Sequence, residues 1–206
     1  MQIRSLKAGA ASAALLAIGI VGAARADDQP AAAPAGPTAL STPAMSSSLS
    51  ANADPANIDA GFLGKIYFSG QLTGLGTWQT NSVPGNNDRG KADLSNAQIE
   101  IQKTNGLVQF YIQAGTYNFP SLGAAYVASG RLTDETYKIV PVAFLKLQPT
   151  PEVSLLVGKL PTLIGAEYTF TFENLNIARG LLWNQEPAIS RGVQANYAKG
   201  PLTVSL

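Results

Sequence analysis

The side chains able to do covalent chemistry are few in this sequence, and two kinds are missing. There is no cysteine and no histidine. That excludes disulfides, thiolate nucleophiles, iron–sulfur clusters, Ser-His-Asp catalysis and the ordinary zinc sites. Carboxylates remain, and Glu167, Glu173 and Glu186 lie within one stretch. A pair of them could serve glycoside hydrolysis, which needs two carboxyl groups roughly 5–10 Å apart. Spacing within a loop sets no such distance, so the expectation is no enzymatic activity, no cofactor and no metal. The commoner polar groups are amides, among them Gln71, Gln98, Gln109, Gln113, Gln194 and Asn196. Groups of that kind solvate rather than react.

These amides recur at every second position, which is strand spacing. From Gly64 to Gln79 the even positions are Gly64, Ile66, Phe68, Gly70, Leu72, Gly74, Gly76 and Trp78. The odd positions, with Lys65, Tyr67, Ser69 and Gln71, are polar apart from Leu75. Ala97, Ile99 and Ile101 alternate with Gln98, Glu100 and Gln102; Val108, Phe110 and Ile112 alternate with Gln109, Tyr111 and Gln113. Asn105-Gly106 between these runs predicts a type I′ hairpin with positive φ at both central residues. Strands are also expected over 139–147, with an irregular start at Pro141, and over 153–159, 191–197 and 202–206. The fold class is all-β and antiparallel, with about seven strands.

Alternation says that one face is dry without saying which way it points. Charged residues make up 13% of the chain, against about 25% in soluble domains. The exposed faces of soluble sheets carry Lys and Glu to resist edge pairing, whereas here the polar faces are mostly uncharged. A water-filled transmembrane barrel needs only amides and hydroxyls on its lumen side and an apolar side toward lipid. Phe68 to Trp78 is about ten strand steps, roughly 33 Å, or about 25 Å of membrane depth at a tilt near 40°. That matches the apolar band of an outer-membrane barrel and sets the two aromatics near its two interfaces.

Charge divides the chain into three. Residues 1–26 hold Arg4, Lys7 and Arg25 and no acid. With the uncharged run 8–23 and Ala24-Arg25-Ala26 they read as a secretory signal peptide. Residues 27–60 are rich in Ala, Pro and Ser, with five prolines, and read as a disordered periplasmic segment. Residues 61–206 carry the strands, with eleven bases and nine acids. That surplus of two leans weakly toward anions and gives no support to nucleic-acid binding.

The run Gly158-Lys159-Leu160-Pro161-Thr162-Leu163-Ile164-Gly165-Ala166-Glu167 is the most distinctive. Asn174 to Trp183 follows, then Arg191-Gly192-Val193-Gln194-Ala195-Asn196-Tyr197; Gln113 to Pro120 forms an earlier strand exit. In these motifs residues 61–206 resemble the OmpL-like β-barrel porins of Gram-negative outer membranes. The resemblance implies an outer-membrane pore for passive diffusion of small hydrophilic solutes, with outer-membrane lipid as its surroundings. Here 61–206 would be the N-terminal part of an incomplete barrel.

Pore-lining candidates are Lys65, Tyr67, Gln71, Gln98, Glu100, Gln109, Tyr111, Gln113, Gln194 and Asn196. Lipid-facing candidates are Phe68, Leu72, Trp78, Ile99, Ile101, Phe110, Ile112 and Val193. Lys159, Glu167, Glu173, Arg179 and Arg191 are candidates for the rim or a constriction, with Lys159 able to pair with Glu167. Loops 118–138 and 166–190 read either as solvated loops or as lumen inserts. The sequence leaves monomer and homo-oligomer both open. The rival reading is a soluble periplasmic β-sandwich that binds a sugar or a protein.

Overall fold

The computed structural model describes residues 54–81 and 89–206. The expected signal peptide and most of the Ala/Pro/Ser-rich segment lie outside the described residues. Eight strands follow one another: β1 (Ala56–Asp59), β2 (Lys65–Trp78), β3 (Gly90–Lys103), β4 (Val108–Tyr117), β5 (Val142–Leu147), β6 (Val153–Pro161), β7 (Ile189–Lys199) and β8 (Leu202–Ser205). They form one antiparallel sheet in sequence order. β1 pairs with β2 alone and β8 with β7 alone, so the sheet is not closed. Among the described residues no helix is long and apolar enough to cross a membrane.

Three expectations need correction. The strands number eight, because Ala56–Asp59, read as the end of the disordered segment, pair with Lys65–Phe68. These four residues follow Pro55 and can all donate to a ladder. The Asn-Gly connection is no type I′ turn: Gly106 has φ +79°, but Lys138 is the one non-glycine with positive φ among the described residues. The last β3–β4 ladder pair is Lys103 with Phe110, and this wider loop is tied by Lys103, whose Nζ donates to the carbonyls of Asn105 and Val108. β5 begins at Val142, after Pro141 rather than before it.

The polarity of the sheet is inverted relative to a soluble protein. Leu72, Ile99 and Val193 are 74%, 57% and 62% exposed, and Trp78 is exposed beside them. Phe68, Ile101, Phe110 and Ile112 share that face and are half-buried, because Phe68–Ile101–Ile112 sit side by side across three strands and cover one another. On the opposite face Gln98, Glu100 and Gln113 are only 3%, 2% and 1% exposed. A sandwich would bury its apolar face against a second sheet; among the described residues no second sheet exists. What lies on the polar face instead is loop.

One irregularity keeps this arrangement consistent. Between Thr73 and Gly74 the β2–β3 register shifts, with Asn96 opposite Thr73 and Leu94 opposite Gly74, so Ser95 is an extra residue. Such a bulge reverses the facing of every residue beyond it. Ala92 and Leu94 therefore stand on the apolar face together with Ala97 and Ile99, while Lys91 and Asp93 turn to the polar one.

Candidate functional site

The polar face is a lattice of short side chains that solvate one another. Gln98 Oε1 accepts from Gln71 Nε2 (3.4 Å) and Gln113 Nε2 (3.3 Å), linking β2, β3 and β4. Asn96 Nδ2 donates to Thr73 Oγ1 (3.0 Å), and the Ser69 hydroxyl to Glu100 Oε2 (2.9 Å). On the far side Gln194 Nε2 donates to Asn196 Oδ1 (2.7 Å), and Asn196 Nδ2 to Ser154 Oγ (3.3 Å). Buried amides need such partners, since an unmade hydrogen bond there costs about 1–3 kcal/mol.

Two loops lie over this face. The first joins β4 to β5 and contains helix α1 (Ser129–Glu135). Asp93 of β3 anchors it, accepting from the Ser129 N–H (2.7 Å), the Ser129 hydroxyl (3.2 Å) and the Tyr126 phenol (2.8 Å). Burial, and then the bond to Asp93, push the Tyr126 phenol well above its usual range.

The second loop joins β6 to β7 through 3₁₀ turns at Thr171–Glu173 and Leu182–Gln185. Phe170 and Phe172 pack from it against Tyr111, Tyr117, Val142 and Ile189, forming an apolar core between loop and sheet. Tyr117 meets Phe170 edge-on at 5.5 Å, and Tyr111 stacks on Phe144 at 5.4 Å. Such pairs add about 0.5–1.5 kcal/mol each beyond burial.

Arg179 organises the second loop from within and is fully buried. Its Nη2 donates to Thr169 O (2.6 Å), its Nη1 to Ile177 O (3.0 Å) and Thr171 Oγ1 (3.2 Å), and its Nε to Tyr168 O (3.3 Å). The guanidinium also lies 5.8 Å from the centre of the Trp183 ring. Through its backbone the residue joins the two loops: its N–H donates to Pro120 O (2.8 Å), and its carbonyl accepts from the Leu122 N–H (2.9 Å). Burial lowers the guanidinium to about 10. The buried Glu173 carboxylate accepts from the Phe170 N–H (2.9 Å). Burial pushes its carboxyl up to about 8, opposed by the hydrogen bond from the Phe170 N–H and the charge of Arg179 and helped by the charge of Glu100.

A cavity of about 750 Å³ remains between the second loop and strands β4 to β8. Tyr111, Phe144, Lys146, Glu173, Gln194 and Asn196 are on its wall. Aliphatic side chains such as Leu156, Leu163 and Ile164 line it beside the amides, hydroxyls and rings, and its charged groups are Lys146, Glu167 and Glu173.

Of the expected lining residues, Tyr67, Gln98, Glu100, Gln109, Tyr111 and Gln113 are buried on the polar face; Gln71, Gln194 and Asn196 are half-buried there. Lys65 has the same facing and is exposed near the β2 start. The five rim candidates separate. Glu173 and Arg179 are inside the second loop. Glu167 stands near them, both its carboxylate oxygens accepting from the Gly180 N–H (2.9 and 3.0 Å). Lys159 does not pair with Glu167: its Nζ donates to the carbonyls of Tyr137 (2.9 Å) and Val140 (2.7 Å). It lies opposite Arg191, on the facing shared with Val157 and Val193 at one strand end. Gly158 is a mid-strand position with φ +148°, where a Cβ would come 2.3 Å from Ala143 O; it serves a close strand approach and not a turn. Asp93 and Ser95 escaped the sequence reading. The change from even to odd apolar positions between Leu94 and Ala97 is the signal that marks them.

An antiparallel sheet with apolar residues outside and amides under inserted loops is the wall of a porin-type β-barrel. The chain belongs to the family described as "putative beta-barrel porin-2, OmpL-like", which matches residues 65–206. A porin family is not an enzyme class, and this one implies the outer membrane. No curated protein and no solved structure matches the chain.

Proposed function

We propose that this protein is an outer-membrane porin through which small hydrophilic solutes diffuse passively. The inverted polarity of the sheet carries the reading: exposed Leu72, Ile99 and Val193 suit hydrocarbon, and buried Gln98, Glu100 and Gln113 suit a watery lumen. Hydrocarbon offers no partner to strand edges, so the sheet works as one sector of a closed barrel. Lys65, Tyr67, Gln71, Gln98, Glu100, Gln109, Tyr111, Gln113, Gln194 and Asn196 face the pore. Phe68, Leu72, Trp78, Ile99, Ile101, Phe110, Ile112 and Val193 face lipid. Glu167, Glu173 and Arg179 act in the constriction that the second loop makes, and Lys159 and Arg191 stand at the membrane rim. The basic, Ala-rich N-terminus acts as the export signal.

Full-length protein reconstituted in planar bilayers is expected to give discrete conductance steps. It is expected to remain in the outer-membrane fraction after carbonate washing and to show heat-modifiable gel mobility. Absence of conductance steps from properly folded protein sinks the pore reading.

A further inference from the structure

Glu100 is a buried carboxylate without a counter-cation. Its Oε2 accepts from Ser69, the Tyr111 phenol lies within reach of the carboxylate, and no Lys or Arg of the described residues forms an ion pair with it. A buried charge is ordinarily paired. Arg179 of the second loop spends its donors on loop carbonyls and the Thr171 hydroxyl. Glu173 of the same loop, with its carboxyl near 8, is mostly uncharged at neutral pH.

Glu100 is also not alone. Asn96 Oδ1, Gln98 Nε2, Gln102 Oε1 and Gln109 Oε1 are buried side-chain atoms without a hydrogen-bond partner, all on the inner side of β3 and β4. Asn96, Gln98, Glu100 and Gln102 occupy successive inward positions of β3, and Tyr111 stands opposite Gln102. From Asn96 to Gln102 the row runs about 20 Å along the strand. Groups left open in a native protein are met by water or ions. With Glu100 Oε1 these are five atoms, of which four are carbonyl or carboxylate oxygens and one is an amide nitrogen. A row so rich in acceptors solvates a cation and not an anion. A single carboxylate with amide oxygens lacks the several carboxylates of a calcium site and the nitrogen or sulfur ligands of transition-metal sites.

We propose that the β3–β4 wall binds a hydrated monovalent cation at Glu100 and forms a cation path beside the seated loops. The unpartnered oxygens replace part of the ion's water, and Glu100 supplies the one fixed charge. The path is cation-preferring although residues 61–206 carry a net surplus of bases, because the inward bases of the sheet, Lys65, Lys91 and Lys146, stand toward or beyond the ends of the row while Glu100 stands within it. Its permeation half rests on the porin reading; its binding half rests on the wall alone.

The test has two arms, both on full-length protein whose folding is checked by heat-modifiable mobility. Equilibrium dialysis of the detergent-folded protein against radioactive Rb⁺ is expected to show saturable binding that K⁺ displaces and N-methylglucamine does not. Glu100→Gln is expected to abolish it, and Gln102→Leu, which keeps the charge, to weaken it severalfold. In planar bilayers under a KCl gradient, the reversal potential is expected to have the cation-selective sign and to move toward zero in Glu100→Gln. Saturable binding without conductance upholds the site and removes the pore. No saturable Rb⁺ binding by the wild-type protein, or binding unchanged in Glu100→Gln, overturns the proposal whatever the conductance.

Discussion

Replacing Arg179 with methionine tests whether the second loop is held as a unit. The change keeps a long apolar stem and removes the guanidinium. The carbonyls of Tyr168, Thr169 and Ile177 lose donors, as does the Thr171 hydroxyl. Of the three carbonyls only that of the buried Thr169 is left without a partner away from water: Tyr168 keeps a bond from Asn174 Nδ2 (2.8 Å), and Ile177 is exposed. A buried group left unpaired costs about 1–3 kcal/mol. Relief from burying the guanidinium offsets part of this, so a net loss of about 1–2 kcal/mol is expected, which raises the undocked population roughly 5- to 30-fold. The sheet is untouched, so heat-modifiable mobility stays as it was. Chymotrypsin reads the loop directly, because Phe170, Phe172 and Trp183 are buried when it is docked. Faster cleavage at these residues, in proportion to the undocked population, is the expected result. Cleavage at the wild-type rate in Arg179→Met would refute the role given to the guanidinium.

Other outcomes follow from single contacts. Glu173 has its carboxyl raised from 4.5 to about 8 in the docked loop, so docking is strongest below pH 4.5. It weakens as pH rises from 4.5 to 8 by up to about 1.4 kcal/mol per unit; protease sensitivity should rise over that window and stay level in Glu173→Gln. Asp93→Asn removes a charged acceptor of the Tyr126 phenol, and spectrophotometric titration should show that phenol shifting toward 10. Ile99→Arg sets a charge on the exposed apolar face, and urea titration of refolding into vesicles should show a loss of about 2–4 kcal/mol if that face meets lipid at mid-depth. Gly158→Ala brings a Cβ to 2.3 Å from Ala143 O at a φ of +148°; slower folding and lower heat stability should follow, and wild-type behaviour would show that β5 and β6 can part there.

Much of this fold is legible in the sequence because a strand's two faces are written at alternate positions. Lys65–Trp78 and Val108–Tyr117 were readable almost residue by residue, and the low charge of their polar positions told which face is wet. β1 was hidden by its setting, four residues behind a run of prolines, since pairing with β2 and not composition makes it a strand. The loops were opaque for a different reason. Arg179 and Glu173 look like ordinary loop charges in sequence, and only folding over the polar face buries them. The same holds for Lys159 and Glu167, whose ten-residue neighbourhood suggested a pair; the chain instead carries each to backbone partners.

The extra residue at Ser95 shifts parity in the sequence without shifting facing in the sheet. Deleting it would join Leu94 directly to Asn96, so Lys91 and Asp93 would stay on the polar side, Ala92 and Leu94 on the apolar one, and the ladder with β2 would run unbroken. The Asp93 anchor of the first loop would survive. What would go is another tie of that loop: the Ser95 carbonyl accepts from the Asn118 N–H (2.7 Å), where the chain leaves β4. The bulge thus gives one residue of β3 to holding the loop where it begins.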